Sequence, residues 1–264
     1  MEQQERALVA YVDAVRDEPG TLAVVVVGSV ARGTERPDSD VDVYLVVDDQ
    51  RFAAETAAGR FAWTDRAGLD YPGSYIDVKL VSPSYLEAAA RDADDPTRAS
   101  FEGARIAHAK GGFAAERLAP LIEMITTLPE PVWAERIRSF RAQAHLYGGY
   151  FLAQAIDRND PFLRRHAGIH LALAAARAAL AANRTLMRGP KYISALVRAV
   201  PTPDGFVDAW QNVVDAPDVQ SAEVLLGLLD EWFGDEIDPD DALSLFIRDN
   251  ELAWLRGTVP AEFW

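Results

Sequence analysis

The sequence predicts an α+β domain, a mixed α/β sheet with flanking helices, followed by an all-α helical bundle. Two observations carry this. Short β-branched runs alternate with helical periodicity through the first half of the chain, and after Leu128-Pro129-Glu130-Pro131 the strand signals stop and only helical spacing continues. That proline-rich stretch reads as a linker, so the expected division is 1–128 and 129–264.

The elements follow in order. Residues 4–17 place Leu8, Tyr11, Val12 and Val15 on one helical face, and Pro19-Gly20 ends the helix. Thr21 to Val27 is a continuous apolar run, the pattern of a strand buried on both faces. Val41 to Val47 is a second strand, and residues 75–81 make a third. Ser82-Pro83-Ser84 opens a helix to about Arg91. Ala104 to Ala109 is a fourth strand, closed by Gly111-Gly112, with a helix from Phe113 to Thr127 behind it. Beyond the linker, Trp133, Ile137, Phe140, Ala144, Tyr147, Phe151 and Ala155 line one face of a long helix. Phe162, His166, Ile169, Leu173, Ala176 and Leu180 do so in the next, and further helices are expected near 190–199, 204–214, 220–233 and 240–256.

Composition narrows the function. The chain has 264 residues, enough for one large domain or two smaller ones. The absence of cysteine excludes disulfides, thiolate catalysis and cysteine-ligated zinc. The N-terminal residues lack the basic-then-apolar pattern of a signal peptide, and no apolar run approaches the roughly 18 residues of a membrane helix, so a soluble cytoplasmic protein without membrane partners is expected. The net charge of −15 disfavours a nucleic-acid partner and attracts cationic small molecules; it also serves solubility. No Gly-Lys-Ser/Thr phosphate loop exists, which argues against an ordinary ATPase.

One constellation carries chemistry. The strand 21–27 runs into Gly28-Ser29-Val30-Ala31-Arg32-Gly33, and Ser39-Asp40-Val41-Asp42 opens the next strand. Glycine at 28 removes a side chain where a phosphate would approach the backbone, and Ser29 offers a hydroxyl donor beside it. Asp40 and Asp42, two apart in an extended segment, project from one face. Neighbouring carboxylates repel unless a cation lies between them, and carboxylate oxygens suit magnesium. Asp77 shares a face with Tyr75, Lys79 and Val81 and interrupts a strand that is otherwise apolar, so a third carboxylate is available if its strand lies beside that of Asp42. Three carboxylates can hold two metals.

Gly28-Ser29, ten residues, then Asp40-Val41-Asp42, with Asp77 on a later strand, resembles the signature of the DNA polymerase β-like nucleotidyltransferase superfamily. The longer Gly-Ser-x-Ala-Arg-Gly and Ser-Asp-x-Asp form is similar to the bacterial branch of aminoglycoside, lincosamide and minimal nucleotidyltransferases. The resemblance is strongest over residues 22–47. It implies transfer of a nucleoside monophosphate, commonly AMP from ATP although another nucleoside triphosphate would serve, to a hydroxyl, with two magnesium or manganese ions. Gly28 and Ser29 would cradle the triphosphate, with Ser39 a second hydroxyl contact. Asp40 and Asp42 would bind both metals. Asp77 would bind the catalytic metal and help deprotonate the acceptor. Lys191 is the candidate for a triphosphate lysine from the helical domain.

Other residues carry competing readings. Lys79 either contacts phosphate or neutralises Asp77; Arg32 either binds phosphate or pins the acidic loop. Asp92, Asp94 and Asp95 read as a solvated acidic loop. His145, His166 and His170 read as core or surface histidines, and His166 and His170 lack the intervening Glu of a zinc protease. The leading expectation is a small-molecule hydroxyl acceptor, aminoglycoside-like antibiotics included by resemblance and charge, bound between the two domains. The rivals are the same chemistry on a transfer RNA or protein, and a nucleotide-binding regulatory module without activity.

Overall fold

A computed structural model describes residues 2–66, 71 and 75–264. The chain forms two compact units. One runs to Ala93 and resumes over Thr97–Thr127; the other comprises Asp94–Pro96 and Leu128–Trp264.

The first unit is built on five strands: β1 Thr21–Val27, β2 Val41–Val47, β3 Ala62–Asp65, β4 Ile76–Val81 and β5 Arg105–Ala109. Their order across the sheet is β3-β4-β2-β1-β5. β2 and β4 run parallel, while β1 is antiparallel to β2 and β5, and β3 to β4, so the sheet is mixed. β1 and β2 are inner strands and almost wholly buried, as their valine-rich sequences require. Helix α1, Glu2–Val15, covers one sheet face through Leu8, Tyr11 and Val15, which pack with Val24, Val26, Val43, Leu45 and Val78. Two short helices follow, α2 Gly28–Arg32 and α3 Asp49–Ala57. On the opposite face lie Val25, Tyr44, Val46 and Val81 with Leu86 of α4 (Pro83–Asp92) and Phe101, which follows α5 (Asp95–Ser100). Ile125 of α6 (Ala119–Thr126) joins the same cluster.

Three elements here lie outside the sequence expectation. α3 begins at Asp48, whose side chain accepts the Arg51 N–H at 2.8 Å, an N-cap that precedes no apolar periodicity and buries no residue. β3 is a four-residue exposed edge strand, too short and too polar to show alternation. α5 begins at Asp95, which is 4% exposed and pairs with buried Arg136 while its second oxygen accepts the Met187 N–H at 3.2 Å. Asp95 is therefore not part of a solvated acidic loop: a specific cationic partner stabilises its burial. The expected helix 113–127 divides into a π-helical turn, Ala114–Leu118, and α6, with Pro120 in the first turn of α6, where its missing N–H costs least.

The second unit is helical. α7 Glu130–His145 continues through a π-helical turn, Leu146–Phe151, into α8 Leu152–Asp157, so the predicted long helix is present but widened at Gly148-Gly149. α9 Pro161–Ala182 is its longest helix. α10 Ile193–Ala199, α11 Phe206–Asp215, α12 Val219–Phe233 and α13 Pro239–Phe246 complete the set, with a second π-helical turn at Ile247–Glu251. The predicted apolar stripe of α9 is corrected: Phe162 and Ile169 are exposed, whereas Ala167, Gly168, Leu171 and every residue from Ala174 to Ala181 are buried. Small side chains let neighbours approach nearly all round this helix. A Cβ on Gly168 would sit 2.4 Å from Pro217 Cβ, so here backbone proximity governs packing more than large side chains do. Among the described residues no helix is long and apolar enough to cross a membrane.

Candidate active site

The mixed topology gathers the motif at one end of the sheet. β1 ends where β2 begins, with Val27 opposite Asp42. β4 runs parallel to β2 with Asp42 opposite Asp77. Adjacent strands lie about 4.8 Å apart, so the two carboxylates leave neighbouring backbones on the same sheet face. Asp40 precedes β2 by one residue, and Lys79 pairs in register with Tyr44 two residues further along.

Gly28 follows β1 directly, at φ +68°, and opens α2. A Cβ at this position would lie 1.9 Å from Asp42 Oδ2. The glycine thus serves two needs: a left-handed backbone and space for the Asp42 carboxylate. Sequence alone points the open side at phosphate and does not reveal the carboxylate. Ser29 occupies the second position of α2, and its carbonyl accepts the Thr34 N–H at 3.0 Å, closing the turn behind the helix. Arg32 ends α2; a Cβ on Gly103 would meet its Cγ at 2.8 Å, so Gly103 leaves room for the arginine stem.

The electrostatics are uneven. Burial, then Asp40, then Asp77 push the Asp42 carboxyl up to about 6, and Lys79 and Arg32 only partly counter this. Asp40 in turn raises the pKa of the Tyr75 phenol, chiefly by hydrogen bonding. Tyr44, beneath the carboxylates, is pushed up to about 12 by burial, although its hydroxyl donates to Ser100 Oγ at 2.7 Å. Motif spacing singles out neither Tyr75 nor Tyr44. Alternation puts Tyr75 on the face of Asp77, and that is the signal in the sequence that could find it.

Two candidates sit differently. Ser39 Oγ accepts the Arg36 N–H at 2.9 Å and its carbonyl accepts the Tyr71 hydroxyl at 3.3 Å, so Ser39 shapes the loop before β2. Lys191 belongs to the helical unit, in the 3-10 turn Pro190–Tyr192, with Nζ 4.9 Å from the Tyr192 ring centroid.

The donor set suits a hard divalent cation, because it is all carboxylate and its mutual repulsion falls on a partly buried group. Among the described residues no three His, Cys, Asp or Glu side chains are gathered tightly enough to enclose an ion unaided. Magnesium is ordinarily held by one or two carboxylates with waters and substrate phosphates, so a full protein cage is not required of this set.

The five-stranded mixed sheet is followed by a helical part, an α/β domain with a helical extension. Residues 10–100 match the family model of the nucleotidyltransferase domain, a span that includes Gly28, Ser29 and all three carboxylates. The fold is similar to that of a crystallised nucleotidyltransferase-like protein from Exiguobacterium sibiricum 255-15, at a TM-score of 0.50 and 13% identity over 89% of this chain and 74% of that one. Comparison with curated protein sequences gives no match.

Proposed function

We propose that this chain transfers a nucleoside monophosphate, AMP from ATP, to a hydroxyl of a small molecule and releases pyrophosphate. The observation that carries this reading is the register of β2 and β4, which sets Asp42 opposite Asp77 beside a glycine with no room for a side chain. Gly28 and Ser29 bind the triphosphate, with Arg32 as a nearby positive charge and Ser39 holding the loop that presents Asp40. Asp40, Asp42 and Asp77 hold two magnesium ions; manganese has the same ligand preference. When bound, the ions neutralise the triphosphate and polarise the reacting oxygens. The acceptor oxygen forms its bond to the α-phosphorus as the bond to the bridging oxygen breaks, and Asp77 takes the hydroxyl proton. The raised pKa of Asp42 means that cation binding competes with protonation at this carboxyl, so metal affinity falls below about pH 6.

The α/β unit is the catalytic part in this reading, and the helical unit supplies acceptor contacts and Lys191. Charge favours a cationic acceptor: the chain carries −15, and aminoglycoside-like molecules belong to the class it attracts. The test is pyrophosphate release from ATP and magnesium across a panel of hydroxyl acceptors, with Asp42→Ala beside wild type. Acceptor-dependent release that disappears in the variant is expected. Equal turnover by Asp42→Ala would overturn the assignment.

A further inference from the structure

The helical unit contains a cavity of about 860 Å³ in which the reading above has no part. Its walls are mainly hydrocarbon. Tyr150 and Phe151 lie edge to face at 5.2 Å, and Phe246 contributes a third ring to the wall. The wall carries two acids, Asp240 and Glu251, and no Lys or Arg. Among the described residues neither acid has an ion-pair partner. The wall's one histidine, His145, is engaged, with Nε2 2.9 Å from Asp230 Oδ1.

The backbone around this space is unusual. Two of the three π-helical turns of the described chain, Leu146–Phe151 and Ile247–Glu251, contribute residues to the wall. Such turns widen a helix by a residue, are rare, and are frequent at functional sites. At the first of them Gly149 faces open space: a Cβ there would meet no atom within 4 Å. Aromatic faces, a volume of drug-like size and two uncompensated carboxylates complement one kind of molecule. Hydrocarbon fills the space between the rings, and an ammonium meets an acid or a ring face.

We propose that this cavity is a binding site for a small amine bearing an aromatic or alicyclic body. The proposal does not depend on nucleotidyl transfer, and its test uses no nucleotide. Phenylbutylamine, phenylbutanol and phenylbutyrate share a body and differ in the charge of the head group. Calorimetric titration of the full chain is expected to show saturable binding of the amine, with the alcohol about tenfold weaker and the carboxylate weaker still. Gly149→Phe places a ring in the open space and is expected to abolish amine binding, with the far-ultraviolet dichroism and melting temperature unchanged. Asp240→Asn with Glu251→Gln, both at exposed positions, is expected to bring the amine down to the affinity of the alcohol. Equal affinity for all three probes, no binding of the amine, or wild-type binding by a folded Gly149→Phe would each overturn the proposal.

Discussion

The two units treat buried acid in opposite ways. In the helical unit the buried carboxylates each have a cation: Asp95 meets Arg136 and Asp249 meets Arg248 at 2.8 Å, and half-buried Asp230 accepts from Arg141 at 3.2 Å. At the sheet end of the α/β unit, Asp42 is crowded by Asp40 and Asp77, and the positive charges of Lys79 and Arg32 are outweighed. Paired buried charge holds a fold in one arrangement, whereas unpaired charge of one sign costs stability and creates affinity for a cation. The contrast separates residues that maintain the structure from residues available for chemistry, and each of the following experiments tries to break it.

The largest effect is expected from breaking a pair. Asp95→Ala leaves Arg136 buried without its partner and removes the acceptor of the Met187 N–H. A loss of about 3–5 kcal/mol follows from an uncompensated buried charge. Chemical denaturation measures it, and a loss below about 1 kcal/mol would show that Arg136 finds other partners.

The next is expected from the crowded site, and there the effect on stability has the opposite sign. Asp42→Asn should lower transfer by about 10²–10³-fold, the scale of losing one electrostatic contact to a reacting centre. The same substitution should raise the melting temperature of metal-free protein at pH 7. The sign follows from the shift. Asp42 titrates near 6 in the folded protein and near its ordinary value of 3.8 when unfolded, so between these values the native state binds more protons. Stability from this group therefore falls as pH rises from about 4 to 6, and the full penalty is present above 6. Melting curves of wild type and Asp42→Asn in chelator should converge near pH 4 and separate above pH 6. Magnesium should raise the melting temperature of wild type and much less that of the variant. A variant less stable than wild type at pH 7 would place Asp42 with the paired acids instead.

The same contrast explains what was legible in the sequence. Apolar runs rich in β-branched residues specify central strands by composition, so Thr21–Val27, and Val41–Val47 with Asp42 as its one polar interruption, are read to the residue. The Gly28-Ser29 turn and Asp42 are legible because spacing fixes them. That Asp77 lies opposite Asp42 depends on strand order, which alternation within one strand cannot give. The steric coupling of Gly28 to Asp42 is likewise tertiary. In the helical unit legibility fails for a different reason. Arg136, Arg177 and Asp249 are polar residues at buried positions, and periodicity treats such residues as solvent-facing. Alanine-rich α9 has apolar residues on every side, so the stripe read from Phe162 and Ile169 does not mark the side that packs.

The smallest effect concerns Lys191, a cation of the helical unit whose ammonium rests over the Tyr192 ring instead of an acid. If it reaches the triphosphate, it belongs with the chemical residues although its unit is the one that pairs its charges. Lys191→Ala should then raise KM for ATP roughly fivefold with little change in kcat, because an exposed single charge contributes about 1 kcal/mol at most. The increase should shrink at high salt, since screening already weakens the wild-type contact. The folded state should be indifferent to the change, because the side chain is exposed and its ring contact is local. Lys191→Arg keeps the charge and should retain most of the affinity, whereas Tyr192→Leu removes only the ring. An unchanged KM in Lys191→Ala would return Lys191 to the surface and leave Arg32 and Lys79 as the positive charges acting on the site.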